Sequence, residues 1–391
     1  MLRFQTAGES HGQGLVATLS GMPAGLRLDF DYVNRELKRR QGGYGRGGRM
    51  KIESDTAQFL AGVRHGKTIG SPIAILIANR DWENWKEAMA VEDRPETRAK
   101  YKSLSPPRPG HADLAGCLKY NFREARYVLE RASARETTAR VAAGAVAKLL
   151  LKAFQVEVAS HVVALGEVRI PDDGVSFEAV LALRDREDLM LACADPVVEA
   201  RMKEVVDRAT ENRDTVGGTF EVIARGLPPG LGSCAQWDER LDGQLAQAVM
   251  SIQAVKAVEI GSGIAGAAAM GSNVHDEIGY DRAASRFTRK TNRAGGLEGG
   301  ITNGEDLVVR GYLKPISTLR RPLESVDFQS KETVRAAYER SDVCVAPAGG
   351  VVGEAMVALT LARALLEKFG GDSMEETRRN YDSYMDQVRR F

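Results

Sequence analysis

The sequence predicts an α+β fold in which helices lie between antiparallel sheets, and three observations carry that expectation. Two Ala- and Leu-rich segments, "ETTARVAAGAVAKLLLKAF" and "GEAMVALTLARALLEKFGG", are apolar on more than one face, as helices in the middle of a layered structure must be. The apolar runs that read as strands are not joined by the regular crossover helices of a doubly wound parallel sheet. A strand, turn and amphipathic helix also recur once in each half of the chain.

Taken in order, residues 15–20 read as a buried strand, bounded by the turn Gly21-Met22-Pro23-Ala24-Gly25-Leu26, and "FDYVNRELKRRQ" follows with helical spacing. The first Ala-rich helix covers residues 136–154, and a strand is expected over 159–169. The second half repeats the pattern: a strand over 219–225, the turn Gly226-Leu227-Pro228-Pro229-Gly230-Leu231, and the helix of "DERLDGQLAQAVMSI". A strand over 306–313 and the second Ala-rich helix complete it. We read this as an internal duplication within one domain over 1–391, with halves near 1–200 and 201–391 packed as one body. "AGGLEGGITNG" at 294–304 and "APAGGVVGE" at 346–354 read as Gly-rich turns.

Composition excludes several classes. Lys and Arg number 54 against 53 Asp and Glu, a net charge of +1, so the chain lacks the basic excess of a nucleic-acid binder. The four cysteines, Cys117, Cys193, Cys234 and Cys344, form no CxxC pair and read as reduced thiols of a cytoplasmic protein, with no metal site. No 18-residue apolar stretch is read anywhere in the chain and no early apolar run follows a basic start, so neither a membrane span nor a signal peptide is expected.

Charge is instead concentrated locally. "RRQGGYGRGGRMK" sets Arg39, Arg40, Arg46 and Arg49 among glycines with a single stacking residue, Tyr44, which suits a folded loop around a small anion better than a nucleic-acid arm. Of five histidines, His11 in "GESHGQG" and His111 in "RPGHAD" adjoin glycine and could exchange protons with a ligand. In "LERASARETTARV", Ser133 and Glu136 have capping-box spacing, and Arg131 and Arg135 flank the first helical turn, making an anion seat. "KPISTLRR" supplies a lysine and two hydroxyls after a strand, and Asp342 follows Arg340 closely, as an ion pair or a positioned base. Neither GxGxxG after a strand nor GxxxxGK[ST] occurs, so dinucleotide and P-loop folds fit poorly.

Together "GESHG", "RRQGGYGRGGRM", "SPPRPGHAD", "RASARETTARVAAGAVAK", "SIQAVKAVEIG", "AGGLEGGITNG", "KPIST" and "RSDVCVAP" resemble, in order and over nearly the whole chain, the chorismate synthase family. Departures are small: Ala257 stands where the family often has glycine, and Ser341 and Val343 where histidine and proline often flank the carboxylate. The resemblance implies layered β/α/α/β protomers in a homotetramer, and trans-1,4-elimination of phosphate from 5-enolpyruvylshikimate 3-phosphate with reduced FMN and no net redox change. It implies His11, His111 and Asp342 as catalytic residues. It implies contacts to FMN from Arg131, Ala132, Ser133, Gln253, Ala254, Gly299, Lys314, Pro315, Ile316, Ser317, Thr318 and Arg340. Ser10, Arg40, Arg46, Arg49, Arg108 and Arg135 would hold the substrate. NAD(P)H enters only if the enzyme reduces its own flavin; otherwise an external flavin reductase is the partner. The loop 42–48 is expected to order on binding. An RNA-binding Arg-Gly protein and a plain flavin reductase are the alternatives.

Overall fold

The computed structural model describes residues 1–46, 55–93, 103–171, 175–186, 190–338 and 342–391. Strands β1 (Arg3–Ala7), β2 (Gly14–Ser20), β3 (Gln58–Ala61) and β4 (Ile73–Ala78) form one antiparallel sheet in the order β1-β2-β4-β3. Strands β5 (Glu157–Leu165), β6 (Val168–Arg169), β7 (Gly218–Arg225), β8 (Val255–Ile260) and β9 (Leu307–Leu313) form the other, in the order β8-β9-β7-β5-β6. Alternation sets which face is buried: Ile73, Ile75 and Ile77 of β4 are fully buried, as are Leu307 and Val309 of β9.

The helices are α1 (Phe30–Gln41), α2 (Asp113–Tyr120), α3 (Arg126–Ala132), α4 (Thr137–Ala153), α5 (Phe177–Ala182), α6 (Pro196–Glu211), α7 (Leu241–Met250), α8 (Gly263–Ala267), α9 (Ala346–Phe369) and α10 (Met374–Arg390). Local chemistry sets their starts. Asp29 accepts a hydrogen bond from Tyr32 N at the head of α1, and Asp195 caps α6 with Pro196 in its first turn. Helices α4 and α9 pack on each other, α4 against β2 and β4, and α9 against β5 and β7, which gives the expected α+β layering with helices between antiparallel sheets.

The segment 346–354, expected to be a Gly-rich turn, is instead the first part of α9. Its glycines are needed for close approach to the sheet: a Cβ on Gly349 would lie 2.7 Å from Leu313 Cδ1, and one on Gly353 would lie 2.5 Å from the Phe220 ring. Helix α9 is also long and apolar enough to cross a membrane, a property the sequence reading missed, but it is almost entirely buried inside the fold as a core helix. Glu136 likewise does not close a capping box. Ser133 accepts from Arg135 N and starts a short turn, while its own N–H is already bonded to Leu129 O at the end of α3. The Glu136 carboxylate turns to Thr6, Arg140 and Gln253.

The repeated turn is matched bond for bond. Thr68 Oγ1 donates to Pro23 O at 2.6 Å and accepts from Leu26 N at 2.9 Å. Thr302 Oγ1 donates to Pro228 O at 2.7 Å and accepts from Leu231 N at 2.8 Å.

Helices α4 and α9 meet where a Cβ on Gly144 would lie 2.4 Å from Ala355 Cβ, so the crossing admits no side chain. Gly144→Val should therefore cost about 2 kcal/mol or more through overpacking and lower the thermal midpoint by at least about 2 °C. Differential scanning fluorimetry checks this; an unchanged midpoint would show that the crossing is not tightly packed.

Candidate active site

The ends of many elements converge on a cavity of about 950 Å³. Ser10 and His11 reach it from the β1–β2 loop, Arg40 from the end of α1, and Arg108, Gly110 and His111 from the turn before α2. Ala132 to Arg135 enter between α3 and α4, Gln253 and Ala254 after α7, and Lys314 and Ile316 to Thr318 after β9. The first turns of α4 and α9 both line it, so the positive ends of two helix dipoles add to its cationic character.

His11 is buried and held on three sides. Its ring stacks on Trp85 with centroids 3.7 Å apart, and its Nδ1 lies 2.9 Å from Glu130 Oε1. Its backbone N–H donates to Glu130 Oε2, and Arg126 donates to Glu130 Oε1. Burial pushes the Glu130 carboxyl up, but the bonds from His11 and Arg126 outweigh it and hold the group below its usual range. A carboxylate fixed on Nδ1 keeps that nitrogen protonated and assigns proton exchange with a ligand to Nε2.

His111 has the same arrangement. Its Nδ1 is 2.5 Å from Asp113 Oδ1, and Asp113 also accepts from Arg108 Nε at 2.8 Å and Arg108 Nη2 at 3.0 Å. Arg108 Nη1 donates to Thr318 Oγ1, which ties this turn to the segment after β9. Burial alone would raise the Asp113 carboxyl, yet His111 and Arg108 hold it well below the ordinary carboxylate range.

Arginines that the sequence places far apart come together here. Arg135 makes a bidentate pair with Asp55, at 2.6 and 2.7 Å. Arg40 donates to Thr137 Oγ1 and Ala134 O, with its Nη1 3.9 Å from Asp55. Arg46 lies 2.7 Å from Asp342. Tyr44 anchors this loop by donating its hydroxyl to Asp207 and its N–H to Met190 O, so it packs outside the cavity rather than stacking on a ligand.

Most expected residues therefore line one cavity: Ser10, His11, Arg40, Arg46, Arg108, His111, Ala132, Ser133, Arg135, Gln253, Ala254, Lys314, Ile316, Ser317, Thr318 and Asp342. Three do not within this chain. Arg131 turns outward and donates to Thr6 O and Gly8 O. Gly299 sits in the hairpin of Leu297–Glu298 and Ile301–Thr302 near Cys234, and Pro315 packs on Gly217. Arg49 and Arg340, and residues 47 and 48 of the loop expected to order, lie outside the described residues. Sequence reasoning missed Glu130, Trp85, Asp113, Asp55 and Arg80. Glu130 and Asp113 stood inside quoted motifs, and a search for a carboxylate to orient each histidine would have found them.

Because the Asp113 carboxyl is depressed on folding, its contribution to stability is present above its unfolded value near pH 4 and is lost as pH falls below that. Asp113→Asn should therefore lower the thermal midpoint most at neutral pH, with the gap to the parent narrowing as pH falls through about 4. Thermal melts from pH 3 to 7 check this; a gap constant with pH would contradict it.

The chain matches the family profile described as "Chorismate synthase" over residues 2–366. It is 65% identical to the chorismate synthase of Acidobacterium capsulatum, with both chains covered in full. It is 53% identical to that of Aquifex aeolicus, covering 100% of this chain and 99% of that one. A solved structure described as "Crystal Structure of Chorismate Synthase" superposes with a TM-score of 0.79 at 44% identity, covering 100% of this chain and 99% of the other. With its whole length accounted for in this way, the chain belongs to the chorismate synthase family, enzymes of the lyase class.

Proposed function

We propose that the chain eliminates phosphate from 5-enolpyruvylshikimate 3-phosphate in a trans-1,4 sense to give chorismate, with reduced FMN bound and no net redox change. The observation that carries this reading is the convergence of two carboxylate-fixed histidines and several guanidiniums on one cavity. A ligand with one phosphate and two carboxylates needs several cations, and arginine forks suit such oxyanions.

The residues around Gln253 and Lys314 fit a flavin. Gln253 Oε1 is buried and has no hydrogen-bond partner among the described residues, as an acceptor awaiting an N–H would be. Lys314 lines the same cavity, and burial, with Lys256 nearby, lowers its pKa. Ala254 holds a positive φ of 71°, a strained backbone of the kind found where a ligand is clamped. Ala132, Ser133, Gln253, Ala254 and the run Lys314 to Thr318 would hold FMN. Reduced FMN held there would supply electron density to the allylic system of the substrate.

The protein's own groups then divide the work. His11, oriented by Glu130, gives a proton from Nε2 to the departing phosphate as the C–O bond breaks. Asp342, paired with Arg46, assists removal of the ring hydrogen. His111, oriented by Asp113, would stabilise negative charge on the bound reduced cofactor. Ser10, Arg40, Arg46, Arg49, Arg108 and Arg135 hold the substrate anions.

NAD(P)H takes part in this reading only where the enzyme reduces its own flavin; otherwise an external flavin reductase supplies the electrons. Exposed Leu118, Tyr120 and Tyr127 on α2 and α3 support a homotetramer, and four free cysteines support a cytoplasmic setting. The plain flavin reductase alternative has no use for a cavity this rich in arginine.

An anaerobic assay that follows chorismate and free phosphate together should give both in equal amounts with dithionite-reduced FMN and neither with oxidised FMN. Steady NAD(P)H oxidation without the phosphorylated acid would favour the reductase instead. His11→Ala should mainly slow phosphate release, by about 10² or more, and His111→Ala should mainly weaken binding of reduced flavin. Identical effects of the two substitutions would undo this division of roles. Glu130→Gln should slow turnover about as much as His11→Ala without altering flavin affinity, as expected if it fixes the imidazole tautomer.

A further inference from the structure

We infer that Arg80 is the guanidinium that receives the phosphate group at this cavity, a role that rests on the functional reading above and adds a residue to it. Of the arginines lining the cavity, Arg46 is paired with Asp342 at 2.7 Å and Arg108 with Asp113 at 2.8 Å. Arg135 and Arg40 share Asp55, at 2.6 and 3.9 Å. Arg80 lines the same space, is exposed, and among the described residues has no carboxylate partner.

Its backbone is tied from both sides to the groups that hold His11. The preceding residue, Asn79, is buried; its N–H donates to Gln13 O at 2.9 Å and its Nδ2 donates to Gly12 O at 2.8 Å. The following residue, Asp81, accepts from Trp85 Nε1 at 3.0 Å, and Trp85 is the ring stacked on His11. The backbone of Arg80 is thereby clamped to the loop that carries the imidazole assigned to phosphate departure.

The consequence is electrostatic. An anion that approaches a paired arginine competes with a carboxylate already bonded there, whereas at Arg80 it displaces only water. A guanidinium that lines the cavity of the proton donor and has no carboxylate partner among the described residues is thus the contact a dianionic phosphate reaches at least cost. The same site would suit the phosphate monoester of the incoming acid and the inorganic phosphate that leaves.

Isothermal titration separates these cases, using the protein loaded with oxidised FMN so that no turnover occurs. The parent, Arg80→Gln and Arg80→Lys are each titrated with 5-enolpyruvylshikimate 3-phosphate and with inorganic phosphate, at low and high salt. Arg80→Gln should bind the phosphorylated acid about tenfold more weakly at low salt and show a shallower salt dependence, and Arg80→Lys should recover most of both. Equal affinity and equal salt dependence in Arg80→Gln would overturn the inference while leaving the functional reading intact. If the parent binds inorganic phosphate through Arg80 but not the phosphorylated acid, the functional reading falls and the phosphate site stands. Binding of neither ligand by the parent removes both.

Discussion

The structure depends on a carboxylate that never meets water. Glu354, in the middle of α9, is fully buried; it accepts two bonds from Arg39 of α1, at 2.9 and 2.7 Å, and one from Ser160 of β5 at 2.6 Å. Lys148 of α4 also donates to it, and Glu36 of α1 completes the cluster by accepting from both Arg39 and Lys148. Two carboxylates and two cations balance, and these partners hold Glu354 below its usual range despite complete burial. Four elements from both halves of the chain meet at this point. Removing one partner would strand a buried charge at a cost of about 3–5 kcal/mol.

What this cluster positions is the cavity. Arg39 and Arg40 are consecutive on α1, so anchoring the first in the core sets the register that delivers the second to Thr137 and Asp55. Lys148 and Glu354 likewise fix α4 and α9 against each other, and both helices begin at the cavity wall. The same logic recurs within the site. His11 is oriented by Glu130, His111 by Asp113, and Arg135 by Asp55, each through a buried or nearly buried carboxylate. The cations are thus held in place before any ligand arrives, which removes an ordering cost from binding.

Much of this was legible in the sequence where the signal was periodic or local. The all-round apolar character of α4 and α9, the strands near 15–20, 159–169, 219–225 and 306–313, and the paired turns at 21–26 and 226–231 follow from patterns within a few residues. Misreadings arose where one residue type serves two purposes. Gly349, Gly350 and Gly353 look like a turn but exist to let α9 approach Phe220, Ser160 and Leu313. Ser133 and Glu136 have capping-box spacing, yet the Ser133 N–H is already used and Glu136 serves Thr6 and Gln253. The pairs Arg135 with Asp55 and His11 with Glu130 span 80 and 119 positions, and no local pattern announces them. Motif order nonetheless brought many of the cavity residues to notice, because most of the motifs reach its wall, whereas the segment of Arg80 and Trp85 lies in none of them and Gly299 lies elsewhere.

In the function proposed above, one cavity holds the flavin and the phosphorylated acid together, with the phosphate beside His11. A crystal structure of the ternary complex with oxidised FMN and 5-enolpyruvylshikimate 3-phosphate tests it most directly. The flavin should lie against Gln253 and the run Lys314 to Thr318, and the acid between His11 and the guanidiniums of Arg40, Arg108 and Arg135. Density for either ligand outside this cavity, or a phosphate remote from His11, would contradict it.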